Sequence, residues 1–120
     1  MINVLMVYND YTDEFMEELK KNVMLLINKH TVDIEVDIHI LPLKLLKSED
    51  IEKCDLIFVD NREIDDSYYA MILHMKDNNL KNKITESFDP YVIYKIITNR
   101  NKRLMHILLN IFRKERNHPI

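Results

Sequence analysis

Two polar clusters directly follow apolar runs in this chain. Asn9, Asp10 and Asp13 come after INVLMVY, and Asp60, Asn61 and Glu63 come after LIFV. If the two runs are adjacent strands, Asp10 and Asp60 converge at one edge of a sheet. Two carboxylates so placed suit Mg²⁺, which takes one or two carboxylates and keeps several waters. The same residues also suit plain turn formation, because Asp and Asn end strands and start turns. Turn duty is the simpler reading here. The chain has no Gly and twelve Asn, so positions needing φ > 0 fall to Asn and Asp.

Two more constellations carry charge. Asp33, Glu35, Asp37 and His39 alternate with Val32, Ile34, Val36, Ile38 and Ile40. Carboxylates and an imidazole on one strand face could hold a metal or serve a metal-dependent nuclease. The simpler reading is a charged face that keeps an edge strand from pairing. The third constellation is a basic end made of Lys95, Arg100, Lys102, Arg103, Arg113, Lys114 and Arg116, with Tyr91 and Tyr94 nearby. Cations with aromatic rings suit nucleic acid, bound through phosphates and stacked bases. They suit equally an acidic protein partner, the acidic body of a second copy, or the carbonyl end of their own helix.

Charge is unevenly divided. Residues 1–90 carry 10 Lys/Arg against 19 Asp/Glu, a net −9, and residues 91–120 carry 7 against one, a net +6. The overall charge of −3 hides this dipolar arrangement. Lacking Gly, the chain can build neither a Walker A loop, nor a dinucleotide fingerprint, nor a G-x-S-x-G elbow. The single Cys54 excludes an internal disulfide and a multi-Cys zinc site, and is expected to be a buried, inert thiol. His30, His74, His106 and His118 have no ligand spacing, and the Met residues read as core filler. The apolar runs are too short to span a membrane. The start MINVLMVYND lacks a basic n-region and a cleavage site, so no signal peptide and a cytoplasmic setting are expected.

The elements that must position these residues follow from periodicity. Ile2 to Tyr8 is apolar and β-branched enough, and Leu56 to Val59 fully apolar, to predict buried strands. Thr12, Asp13 and Glu14 open a helix that carries Phe15, Met16, Leu19, Val23, Leu26 and Ile27 to about His30. Val32 to Leu41 alternates strictly and predicts an edge or half-solvated strand ended by Pro42. Leu43 to Lys53 is an irregular or short helical connection, with Ser48 as a cap. Asp65, Asp66 and Ser67 cap a helix with Tyr68, Met71, Ile72 and Met75, and Asp77 to Lys83 is a polar turn. Ile84 to Phe88 reads as a short strand. Tyr91 to Thr98 (YVIYKIIT) has the content of a strand, although Asp89-Pro90 is also a good start for a helix. Strand is the reading adopted. Leu104, Ile107, Leu108, Ile111 and Phe112 mark a final amphipathic helix.

Tyr8-Asn9-Asp10 resembles the end of the first strand in response-regulator receiver domains, where an acidic pair binds Mg²⁺. Cys54 to Asp60 (CDLIFVD) is similar to the receiver strand that ends in the phosphoacceptor Asp. The resemblance covers most of the chain. It implies Asp60 as phosphoacceptor, Asp10 and Asp60 as Mg²⁺ ligands, Thr85 or Ser87 as the hydroxyl, and Lys95 as the family's Lys. The final helix is also similar to the receiver's last one. Asn9 stands where the family has a second acid, and the Pro and Gly usual after the phosphoacceptor are missing. Only Asp89-Pro90 separates the expected fourth and fifth strands.

These features together predict one three-layer α/β domain over residues 1–120, flavodoxin- or receiver-like, with a short, mainly parallel sheet and a basic C-terminal helix. The function expected is a non-catalytic regulatory or protein-interaction module that forms homo-oligomers and needs no cofactor. The alternatives are a nucleic-acid-binding accessory protein and a Mg²⁺-dependent phosphoacceptor.

Overall fold

The run INVLMVY forms strand β1 (Ile2–Tyr8), and it lies inside the sheet because it is apolar on both faces. The computed structural model describes residues 1–30, 34–60, 62, 66–75 and 83–99. After β1 come helix α1 (Asp13–His30), strand β2 (Val36–Pro42), a 3₁₀ turn (Leu43–Leu45) and helix α2 (Ser48–Lys53). Strand β3 (Leu56–Val59), helix α3 (Asp66–Met75) and strand β4 (Ile84–Glu86) follow. Residues 90–99 form a further helix, α4.

The sheet has four strands in the order β2-β1-β3-β4. All neighbours are parallel, with Val4 opposite Ile38 and Leu56, and Ile57 opposite Ile84. This is the strand order of flavodoxin-like doubly wound sheets. From β1 the chain moves outward to β2, then back across β1 to β3 and on to β4. Right-handed crossovers in opposite directions place their helices on opposite faces. Met16, Leu19, Val23 and Ile27 of α1 accordingly pack on Val4, Met6, Ile38 and Phe58, together with Ile93 and Ile97 of α4. Tyr68, Ile72 and Met75 of α3 pack with Cys54 on Leu5, Val7, Ile57 and Val59. Each large side chain so buried contributes roughly 1.5–3 kcal/mol.

Local chemistry sets the helix starts. Thr12 caps α1: its Oγ1 accepts the Phe15 N–H at 3.1 Å and its carbonyl accepts the Met16 N–H at 3.1 Å. Phe15, expected on the apolar stripe of α1, is exposed. At α2 the cap is Lys47 rather than Ser48, which is already the first helical residue. The Asp50 carboxylate accepts the Lys47 N–H at 2.9 Å, and Lys47 O accepts the Asp50 N–H at 3.0 Å. The alternating segment forms β2, at the sheet edge among the described residues, but the strand starts at Val36 rather than Val32 and takes in Pro42. Ile34 and Glu35 are not strand, and Val32 and Asp33 lie outside the described residues. So do Asp65, residues 77–82 of the turn expected at Asp77 to Lys83, and the whole segment from residue 100 onward.

The expectation for a whole element is also overturned. Residues 91–98 are helix, not a fifth strand, so β4 is the last strand among the described residues. The Asp89 carboxylate accepts the N–H of Tyr91 at 2.9 Å and of Val92 at 3.1 Å. Pro90 supplies the fixed φ of a first helical residue and has no N–H to waste. Ile93 and Ile97, four residues apart, are fully buried, while Tyr91 and Val92 are exposed. Lys95, midway between them, is exposed, whereas a strand would place all three on one face. Thr98 absorbs its hydroxyl into the helix by donating to the Tyr94 carbonyl at 2.9 Å. The β-branched content was outweighed by one cap and one burial period. Asp89→Ala should therefore cost about 1 kcal/mol of unfolding free energy, read as a lower urea midpoint with an unchanged slope.

Candidate functional site

A doubly wound sheet offers its ligand site where the strand order reverses, beyond the carboxyl ends of the two central strands. Here those strands are β1 and β3, ending in Tyr8 and Val59. Their ladder runs through Val4–Leu56 and Met6–Phe58 and then stops. By the alternation of a parallel ladder, the next bond would run from the Asp60 N–H to the Val7 carbonyl. The strands splay at this point, and the Tyr68 hydroxyl fills the gap. It accepts from the Asp60 N–H at 2.8 Å and donates to the Val7 carbonyl at 2.7 Å. Tyr68 is fully buried, so both backbone groups would otherwise be orphaned.

The Asp60 side chain closes the crevice above this point. It is only 1 % exposed. Its Oδ1 accepts the Arg62 backbone N–H at 3.0 Å, and Arg62 Nη2 donates to its Oδ2 at 2.9 Å. Tyr11 donates its hydroxyl to the same Oδ2 at 2.5 Å. Burial pushes the Asp60 carboxyl up, but the bonds from Arg62 and Tyr11 and the Arg62 charge outweigh it and hold the group below its ordinary value. The hydrogen bond to Asp60, with its charge, raises Arg62 further. The Tyr11 ring stacks on Phe15 at 4.6 Å and meets Phe88 edge-on at 5.5 Å. One side chain thus ties together the loops after β1, β3 and β4. Beside it, Tyr8 donates to Asp13. That bond first, then burial, raises the Tyr8 phenol to about 12.

The residues singled out from sequence are not assembled as the receiver resemblance implies. Asp60 is at the switch point, and Asp10 is exposed in the loop after β1. Lys95 is not at the end of a strand; it lies exposed on α4, its Nζ 5.4 Å from the Tyr91 ring centre and 6.0 Å from that of Tyr94. Thr85 is within β4, and the Ser87 hydroxyl accepts the Asp89 N–H at 3.1 Å. Arg100, Lys102, Arg103, Arg113, Lys114 and Arg116 lie outside the described residues. The Asp60 environment does not fit Mg²⁺: a cation would have to displace the guanidinium that already occupies both oxygens. Among the described residues no three His, Cys, Asp or Glu groups gather into a metal cluster. Asp37 and His39 pair with each other at 2.9 Å on the exposed face of β2.

On the α2 side, an open groove of about 530 Å³ lies over Asn3 and Leu5, flanked by His39, Asp50, Lys53 and Cys54. Burial pushes the Cys54 thiol up, and its S–H donates to the Ile51 carbonyl at 3.1 Å. Cys54 is buried, as expected, and a neutral thiol is a poor nucleophile. Among the described residues no helix is long and apolar enough to cross a membrane. No family model, no curated protein and no solved structure matches the chain.

Sequence reasoning found Asp60 but missed Tyr11, Arg62 and Tyr68 as its partners. The Asp-x-Arg spacing at 60–62 was the one local signal. The bond from Tyr68 to the Val7 carbonyl spans 61 residues and leaves no trace in periodicity.

Two substitutions probe the knot. Tyr68→Phe keeps the ring and orphans two buried backbone groups, and should cost about 1–3 kcal/mol in chemical denaturation. Asp60→Asn should cost a similar amount, about 1–3 kcal/mol, at neutral pH. A carboxyl lowered by folding stabilises fully above its unfolded value near about 4 and loses that stabilisation as pH falls through the folded value. The gap between parent and Asp60→Asn should therefore shrink in acid, measured as urea midpoints across that range.

Proposed function

We propose that this chain is a non-catalytic regulatory or protein-interaction module that associates with itself. The observation that carries the reading is the closed switch point. The acid at the sheet's natural ligand position is buried, and Arg62 and Tyr11 bind both of its oxygens. A catalytic carboxylate needs a free lone pair or a proton to give, and this one is committed to holding loops together. The division of charge into −9 over residues 1–90 and +6 over residues 91–120 favours a binding role, because opposed patches steer association.

A second reading has its own support. The exposed Tyr91 and the half-buried Tyr94 flank Lys95 where the basic segment begins. Such rings beside cations suit single-stranded nucleic acid.

Both readings meet in one set of measurements. Light scattering on the eluting chain across the micromolar range should give a mass above that of one copy; a strict monomer would overturn the interaction module as stated. Titration with single-stranded and duplex oligonucleotides at rising salt tests the second reading. Binding that fails to weaken with salt, or no binding, removes it.

A further inference from the structure

Among the described residues, β2 has a strand on one side only. The register says which backbone groups face outward. The Ile2 N–H bonds the Glu35 carbonyl at 2.9 Å, and Ile2 is opposite Val36. In a parallel ladder the odd-numbered residues of β2 then turn N–H and C=O toward β1, while Val36, Ile38 and Ile40 turn theirs outward. The same three residues place their side chains on the α1 side, Ile38 buried and the other two half-buried against that cluster. Asp37 and His39 stand on the opposite face, with side chains 47 % and 68 % exposed.

We propose that this edge pairs antiparallel with the same edge of a second copy, with the two-fold axis beside Ile38. The proposal rests on the self-association reading and supplies its contact. In this register Ile38 lies opposite the partner's Ile38, and Val36 opposite the partner's Ile40. Each outward residue then exchanges both hydrogen bonds with its opposite. The β-branched pairs extend the α1-side core across the boundary. On the other face Asp37 lies opposite the partner's His39, at a non-hydrogen-bonded position where side chains come closest. Symmetry repeats that pair.

The neighbouring registers are worse. An axis at Val36 or Asp37 sets acid against acid, Asp37 facing the partner's Glu35 or the partner's Asp37. An axis at His39 or Ile40 brings Pro42, which has no N–H, opposite an outward residue. The charged residues that discourage most strands from this edge therefore select one self-complementary alignment.

Sedimentation of the full chain, of His39→Asp and of the exchanged pair Asp37→His with His39→Asp tests the alignment. In His39→Asp, acids oppose acids twice, and dimerisation should weaken at least about tenfold. The exchanged pair again sets Asp opposite His and should recover to within about threefold of the parent. Both side chains are exposed, so circular dichroism should show all three chains folded. In a separate readout, Asp37→Cys mixed with His39→Cys should form a disulfide-linked dimer faster than either alone. A His39→Asp dimer as tight as the parent overturns the edge contact and leaves self-association standing. So does an exchanged pair that fails to recover. A parent that is monomeric throughout overturns both.

Discussion

The molecule depends on how two parallel strands part company. β1 and β3 must separate at their carboxyl ends because their chains leave for opposite faces of the sheet. That separation strips a buried N–H and a buried carbonyl of their ladder partners. Water would satisfy them in an open crevice. Here a phenol hydroxyl from α3 does so, accepting from Asp60 and donating to Val7. The bond that would have continued the sheet is replaced by one that docks a helix. The position of α3, the burial of Asp60 and the closure by Arg62 and Tyr11 all follow from that insertion.

Much of the architecture was legible because it rests on short-range pattern. The mainly apolar run at Ile2 to Tyr8 and the apolar run at Leu56 to Val59 read as interior strands and are. The alternation up to Leu41 read as an edge or half-solvated strand, and β2 is an edge among the described residues. The misreading at 91–98 came from weighing side-chain type above boundary chemistry. Tyr, Val and Ile fit a strand, yet one Asp-Pro pair in front of them fixes a helix, and Ile93 and Ile97 are spaced to bury together. The site was less legible, for a reason of distance along the chain. Asp60 could be picked out as the acid after an apolar strand. Its state could not, since that is set by burial in the assembled fold and by Tyr11, 49 residues before it, as well as by the nearby Arg62.

The acids of this chain divide by environment more than by number. Asp60 is enclosed and ionised among donors. Asp89 caps α4, accepting two backbone N–H groups, and Asp50 within α2 accepts the N–H of its cap residue Lys47. Asp37 stays exposed with only an imidazole beside it. A few carboxylates thus serve the fold directly, while most of the described acids face outward.

The missing glycines have a thermodynamic side. A backbone in which every residue carries a Cβ, or a proline ring, explores fewer conformations when unfolded, and each Gly replaced at a compatible position is worth about 0.4–1 kcal/mol through the denatured state alone. The turns after β1 and β3 gain that stiffness by using Asn9, Asp10, Tyr11 and Asp60. They also give up the close backbone approach that glycine loops offer to phosphate. Order in the unfolded ensemble and occupancy of the crevice are two results of one compositional choice.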